Sequence, residues 1–123
     1  MKQLLTIGLG GGLGAIARYR LSGWVLHQTV DWKFPAGTFL VNVVGCLAAG
    51  LLAGLVEKQD LFTPETRIFL FTGILGGFTT FSAFGLETIY LFQRHEFFLA
   101  SLNIALSVLC GLLAIGLGLK IIP

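Results

Sequence analysis

A few polar side chains in this sequence lie within long apolar stretches, where a polar group is costly and generally has a task. Arg18 follows Leu13-Gly14-Ala15-Ile16-Ala17. An arginine there either serves an ion or substrate path or reaches out to the headgroups from a helix end. Asn42 lies among Val41, Val43 and Val44. Its amide requires hydrogen-bonding partners in a dry setting, found across a helix interface or supplied by a solute. Glu87 stands about one turn beyond the hydroxyl-rich segment Thr79-Thr80-Phe81-Ser82. It reads either as a proton-exchanging carboxylate or as a partner for nearby hydroxyls and backbone. Phe81 and Phe84 are three apart and share a face wherever that segment is helical. Phenylalanine pairs in membranes ordinarily pack, but the edge of the ring is its positive rim. With Thr80, Ser82 and Asn42 around the rings, a small anion can lie against their edges while hydroxyl and amide groups donate to it.

Catalytic constellations are missing. There is no CxxC or HExxH spacing, and His27 and His95 lie in loops near opposite ends of the chain. Gly10-Gly11-Gly12-Leu13-Gly14 lacks the preceding strand and the following lysine and hydroxyl residue of a phosphate loop. Cys46 and Cys110 both sit in apolar stretches and read as small packing residues. The sequence therefore points away from an enzyme.

The elements that position these residues are membrane-spanning helices. Of the 123 residues, 55% are hydrophobic and 11% charged, against roughly a quarter charged in a soluble domain. Residues 34–56, 68–86 and 97–119 carry no charge, and each run approaches the roughly 20 residues that cross a hydrocarbon core. A first, glycine-rich span is expected over about residues 3–26. The full set is about 3–26, 34–56, 65–93 and 97–122, an all-α integral membrane protein occupying 1–123 as one domain. Gly8/Gly12 and Gly10/Gly14 read as small-xxx-small pairs for close helix contact. Pro35 suits the first turn of the second span, and Thr63-Pro64-Glu65 is a helix-start signal for the third. The third span is expected to break near 76–82. There, Gly76-Gly77 and the run of threonine and serine sustain a helix poorly, and unwound backbone at bilayer depth marks a cavity or an ion site. Asn103 and Ser107 share a face of the fourth span.

A net charge of +2 gives no footprint for nucleic acid; the surrounding partner is the lipid bilayer. With four spans, Lys2, Lys58, Arg67 and Lys120 fall on one side of the membrane and Arg20, Lys33 and Arg94 on the other. So even a division selects no orientation. A balanced chain too small to enclose a solvated path suggests an antiparallel, dual-topology homodimer, an inverted repeat made from two copies.

Three segments in this order resemble the Fluc/CrcB fluoride channels: Gly11-Gly12-Leu13-Gly14-Ala15-Ile16-Ala17-Arg18-Tyr19, Gly37-Thr38-Phe39-Leu40-Val41-Asn42-Val43-Val44-Gly45, and Thr72 to Glu87 with Gly76-Gly77-Phe78-Thr79-Thr80-Phe81-Ser82-Ala83-Phe84 at its centre. The resemblance implies passive fluoride export across the cytoplasmic (inner) membrane by an antiparallel dimer with two pores. It implies that Asn42 donates to the ion, that Phe81 and Phe84 present ring edges, and that Thr38 and Ser107 belong to a polar track. Arg18 would attract anions in a vestibule, and the carbonyls of Gly76 and Thr79 would hold a central sodium ion. Gly111, where a hydroxyl is often found, leaves the outer part of that track without a donor. The rival reading is a small proton-coupled cation or multidrug antiporter. It needs an embedded carboxylate, and Glu87 is the one acid well inside a span.

Overall fold

The computed structural model describes residues 1–123, which form helices and short connections without a strand. Helix α1 (Lys2–Gln28) and helix α2 (Ala36–Gln59) are joined by a short polar loop. Pro35 is the residue before α2, not part of its first turn, and its carbonyl accepts the Phe39 N–H at 3.2 Å. Helix α3 runs without a gap through Pro64–Arg67, a π-helical stretch Ile68–Leu75, and Gly76–Phe78. Helix α4 (Phe81–Gln93) continues the same span, and α5 (Phe97–Ile121) completes the fold. By length and composition, α2, the α3–α4 span and α5 can each cross a membrane. At 27 residues, or about 40 Å, α1 is also long enough, although glycines and two arginines make it less apolar.

Local chemistry explains the ends. Thr63 caps α3, its hydroxyl accepting the Thr66 N–H at 3.2 Å, with Pro64 and Glu65 following as the sequence signals. Helix α2 stops at Asp60, a left-handed residue (φ 46°), whose carboxylate pairs with Arg67 at 2.7 Å. Lys58 donates to the carbonyls of Leu119 and Ile122 at 2.8 and 2.7 Å, placing a cation on the unsatisfied C-terminal end of α5.

Glycine contacts fix how the helices align. A Cβ on Gly14 would strike the Ile74 carbonyl, and one on Gly77 the Gly11 carbonyl. Gly10 approaches Gly73 in the same way. Low numbers meet low numbers, so the first and third spans run parallel. Gly111 beside Cys46, Gly50 against Ile115 and Gly54 against Ile122 make α2 and α5 parallel by the same argument. The contact of Gly37 with Ser22 joins the end of α1 to the start of α2, as alternate crossings of one layer require. Gly8 and Gly12, expected to form a close-contact pair, meet nothing within 4 Å. They face away from the rest of the chain, while Gly10, Gly11 and Gly14 carry the close contact.

The third span also differs from expectation in extent. Only Thr79 (φ −83°, ψ 154°) and Thr80 (φ −147°, ψ 116°) are extended, and Gly76 and Gly77 remain helical. The reason is that Gly77 is needed for its approach to Gly11. Its missing side chain serves packing, not helix breaking.

Gly14→Ala is expected to lower stability by about 1–3 kcal/mol, the usual cost of forcing atoms into a filled contact. Gly12→Ala, which adds a methyl to open space, should leave the thermal unfolding of the detergent-solubilised protein unchanged.

Candidate ion pathway

At the Thr79–Thr80 interruption the side chain of Asn42 replaces the missing helix. Its Oδ1 accepts the Thr80 N–H at 2.8 Å and its Nδ2 donates to the Thr80 carbonyl at 2.9 Å. Thr80 then caps α4, its hydroxyl accepting the Ala83 N–H at 3.2 Å, with Ser82 Oγ 3.3 Å away. In an unbroken helix the Thr80 N–H would go to Gly76 O and the Ala83 N–H to Thr79 O. Both donors are diverted, so the carbonyls of Gly76 and Thr79 lose their helical partners. An amide nitrogen carries two hydrogens, so Asn42 keeps one for another acceptor.

Two clefts meet at Thr80. One, of about 540 Å³, is lined by Arg18, Tyr19, Thr38, Thr80, Ser82 and Glu87 among others. Arg18 is half-buried there and belongs to neither of the two ion pairs of the chain, Lys33–Glu96 and Arg67–Asp60. Thr38 is buried and donates to Glu87 Oε1 at 2.7 Å; Glu87 Oε2 is shielded from solvent with no protein partner. The second cleft, of about 450 Å³, holds Asn42, Gly76, Thr79, Thr80 and Phe81 along with Gly45, Cys46 and Phe71. Phe81 is 83% exposed, and its ring centroid lies 5.6 Å from that of Phe84.

The two clefts thus bring together most of the residues singled out from the sequence. Arg18, Thr38, Thr80 and Ser82 meet in one; Asn42, Thr80, Phe81, Gly76 and Thr79 meet in the other. Phe84 and Ser107 line neither. Ser107 instead donates to Asn103 Oδ1 at 3.2 Å, Asn103 Nδ2 donates to Thr88 Oγ1 at 2.9 Å, and Thr88 donates to the Phe84 carbonyl at 2.7 Å. Thr88 drew no notice in the sequence. Its signal was a hydroxyl four residues after Phe84, opposite a span bearing an asparagine.

Chemically, the first cleft offers an unpaired guanidinium and hydroxyls that can draw in an anion, set against the Glu87 carboxylate in the same lining. The second offers an amide donor and an exposed ring beside backbone freed from its helix. Neither contains a group of histidines, cysteines and acids able to hold a transition metal.

The profile of the family described as "CrcB-like protein, Camphor Resistance (CrcB)" matches residues 5–119. A protein of Methylobacillus flagellatus named "Fluoride-specific ion channel FluC" is 47% identical over 122 residues, covering 99% of this chain and 95% of its own length. Its namesake in Flavobacterium psychrophilum is 47% identical over 121 residues, covering 98% and 97%. "Fluoride-specific ion channel FluC 1" of Methanosarcina acetivorans is 45% identical over 118 residues, covering 96% and 88%.

Asn42→Leu would leave the Thr80 N–H and carbonyl unpaired at a cost of about 1–3 kcal/mol each. A clear drop in unfolding temperature is expected, and an unchanged one would mean that the amide does not hold the interruption.

Proposed function

Because the chain belongs to the CrcB family, we propose that it is a fluoride-selective ion channel, conducting passively out of the cell across the cytoplasmic membrane and so relieving fluoride toxicity. The observation that carries this is identity of 45–47% over nearly the whole chain to relatives that bear that name. The site chemistry supports it. Fluoride is small and strongly hydrated, so a path must replace its water with close donors while binding loosely enough for the ion to leave. Arg18 gathers anions at the wider cleft. Thr38, Thr80 and Ser82 supply hydroxyls along the way, the free N–H of Asn42 donates at the interruption, and Phe81 and Phe84 offer ring edges.

The channel works as an antiparallel homodimer. Gly76, Phe81 and Ser82 are exposed on the single chain, next to the two extended residues of an otherwise apolar span. Lipid cannot satisfy such backbone, and a second copy related by a two-fold axis in the membrane plane covers it with the same surface. The even charge division supports insertion both ways.

The carbonyls of Gly76 and Thr79 suit a sodium ion between the copies. Carbonyl oxygens are hard ligands of the kind this cation prefers, and both have lost their helical donors. Bound there, the ion would supply positive charge beside carbonyls freed from the helical ladder. Asn42 and Thr80 keep those carbonyls available.

The test is fluoride efflux from liposomes holding the purified protein, with chloride as control. Fast fluoride release with little chloride leak is expected. Asn42→Asp keeps an acceptor for the Thr80 N–H but puts negative charge where the donor stood. It should cut flux more than about tenfold, the equivalent of one hydrogen bond to a charged group at ~1.5–3 kcal/mol. Phe81→Leu with Phe84→Leu should cut it while the dimer survives. Proton-driven uptake of organic cations, lost in Glu87→Gln, would install the antiporter instead.

A further inference from the structure

Helix α4 carries both phenylalanines, yet the interruption before it removes the constraint that normally sets a helix's rotation, namely the turn that precedes it. Something outside the helix must fix it. At one end the anchor is Asn42, which holds Thr80 by its N–H and carbonyl. At the other end the anchor comes from α5. Asn103 is 1% exposed, and Thr88, at 5%, is nearly as buried. Asn103 Nδ2 donates to Thr88 Oγ1 at 2.9 Å, and the Thr88 hydroxyl passes its own hydrogen to the Phe84 carbonyl at 2.7 Å. Phe81 and Phe84 therefore stand between two polar anchors, Thr80 below and Thr88 above.

The network is also closed to a passing ion. A hydroxyl has one hydrogen to give, and those of Thr88 and Ser107 are both spent on protein acceptors. Ser107 donates to Asn103 Oδ1 at 3.2 Å, which turns the amide so that its nitrogen faces Thr88. In this arrangement the polar residues of α5 hold the path from behind instead of lining it. That arrangement also accounts for Gly111, which is buried 3.3 Å from the Cys46 sulfur when given a Cβ. No hydroxyl is needed there to continue a row of donors.

We propose that Thr88 and Asn103 are positioning residues that set the rotation and height of α4, and with it the placement of Phe81 and Phe84 toward the ion, Ser107 fixing the orientation of the Asn103 amide. The proposal rests on the fluoride-channel reading given above.

The experiment compares wild type, Thr88→Val, Thr88→Ser and Ser107→Ala as purified dimers. It reads unitary fluoride flux in liposomes, the fluoride-to-chloride ratio, and thermal unfolding. Thr88→Val keeps the shape and removes both bonds. Flux per folded channel should fall by about tenfold, a loss in keeping with reacting groups displaced by a fraction of an ångström, and the selectivity ratio should fall with it. Thr88→Ser, which retains the hydroxyl, should restore both. A role confined to stability would lower the unfolding temperature and leave unitary flux and selectivity in place, and that result overturns the proposal. If Thr88→Val fails to fold, Ser107→Ala decides. It leaves the Thr88–Phe84 bond intact and frees the amide, so reduced unitary flux supports the proposal and wild-type flux overturns it. Wild-type liposomes that release no fluoride would overturn the channel reading and this inference with it.

Discussion

A span interrupted inside a bilayer has to find partners for each backbone group it releases, since hydrocarbon offers none. The pairing of Asn42 with Thr80 meets that constraint here, and much of the molecule follows from it. One side chain on α2 receives the N–H and serves the carbonyl of a single residue on the broken span. Without it the extended pair Thr79–Thr80 would leave two strong hydrogen-bonding groups unmet in an apolar setting, and a continuous helix would be the cheaper structure. With it, the break is stable, α4 starts afresh with its own threonine cap, and the carbonyls of the preceding turn, those of Gly76 and Thr79 among them, lose their helical donors. The same amide that makes the break possible keeps one N–H for a solute. On the proposed channel reading, structural and conducting duties meet on one residue.

Much of this was legible in the sequence because bilayers impose simple rules. The uncharged runs 34–56, 68–86 and 97–119 fall on α2, the α3–α4 span and α5, and the Thr63-Pro64-Glu65 start is legible because capping is local chemistry. What depended on neighbours was less legible. Gly8/Gly12 and Gly10/Gly14 are the same pattern one turn-fraction apart, and only the placement of the third span decides that Gly10 and Gly14 are packed while Gly8 and Gly12 are open. Gly76-Gly77 looked like the centre of a break and is helical, since glycine weakens a helix and also admits a neighbouring backbone. The π-helical stretch Ile68–Leu75 has no signal in its apolar residues; it appears where Gly73 lies against Gly10.

At the site, residue type was a better guide than role. An asparagine among valines announced that it needed partners, but whether those were backbone or solute was open, and Thr80 takes most of its capacity. Glu87 offered the choice between proton exchange and a local hydroxyl partner. The Thr38 hydroxyl at 2.7 Å is such a partner, drawn from a different helix and so invisible in sequence. Thr88 went unnoticed for the same reason. A threonine in an apolar helix ordinarily bonds its own preceding turn, and only the depth of Asn103 opposite shows that it joins two helices.

The polar groups of this small chain divide into those whose hydrogens are spent and those whose hydrogens are free, and that division decides what each can do. Thr38, Thr88 and Ser107 each give their one hydrogen to a protein oxygen. Arg18 takes part in no ion pair, and Asn42 has one amide hydrogen in reserve. On the proposed channel reading, an anion entering from the wide cleft would meet the free positive charge first and the free amide donor at the break. Between them lie hydroxyls that must trade a protein acceptor for the ion. Thr38 can make that trade only by leaving the Glu87 carboxylate, whose other oxygen already lacks a protein partner, so the abandoned acceptor weakens its hold on an ion. On the channel reading proposed above, an anion too large to reach these short-range donors gains nothing in exchange for its water, so the few free hydrogens favour a small ion.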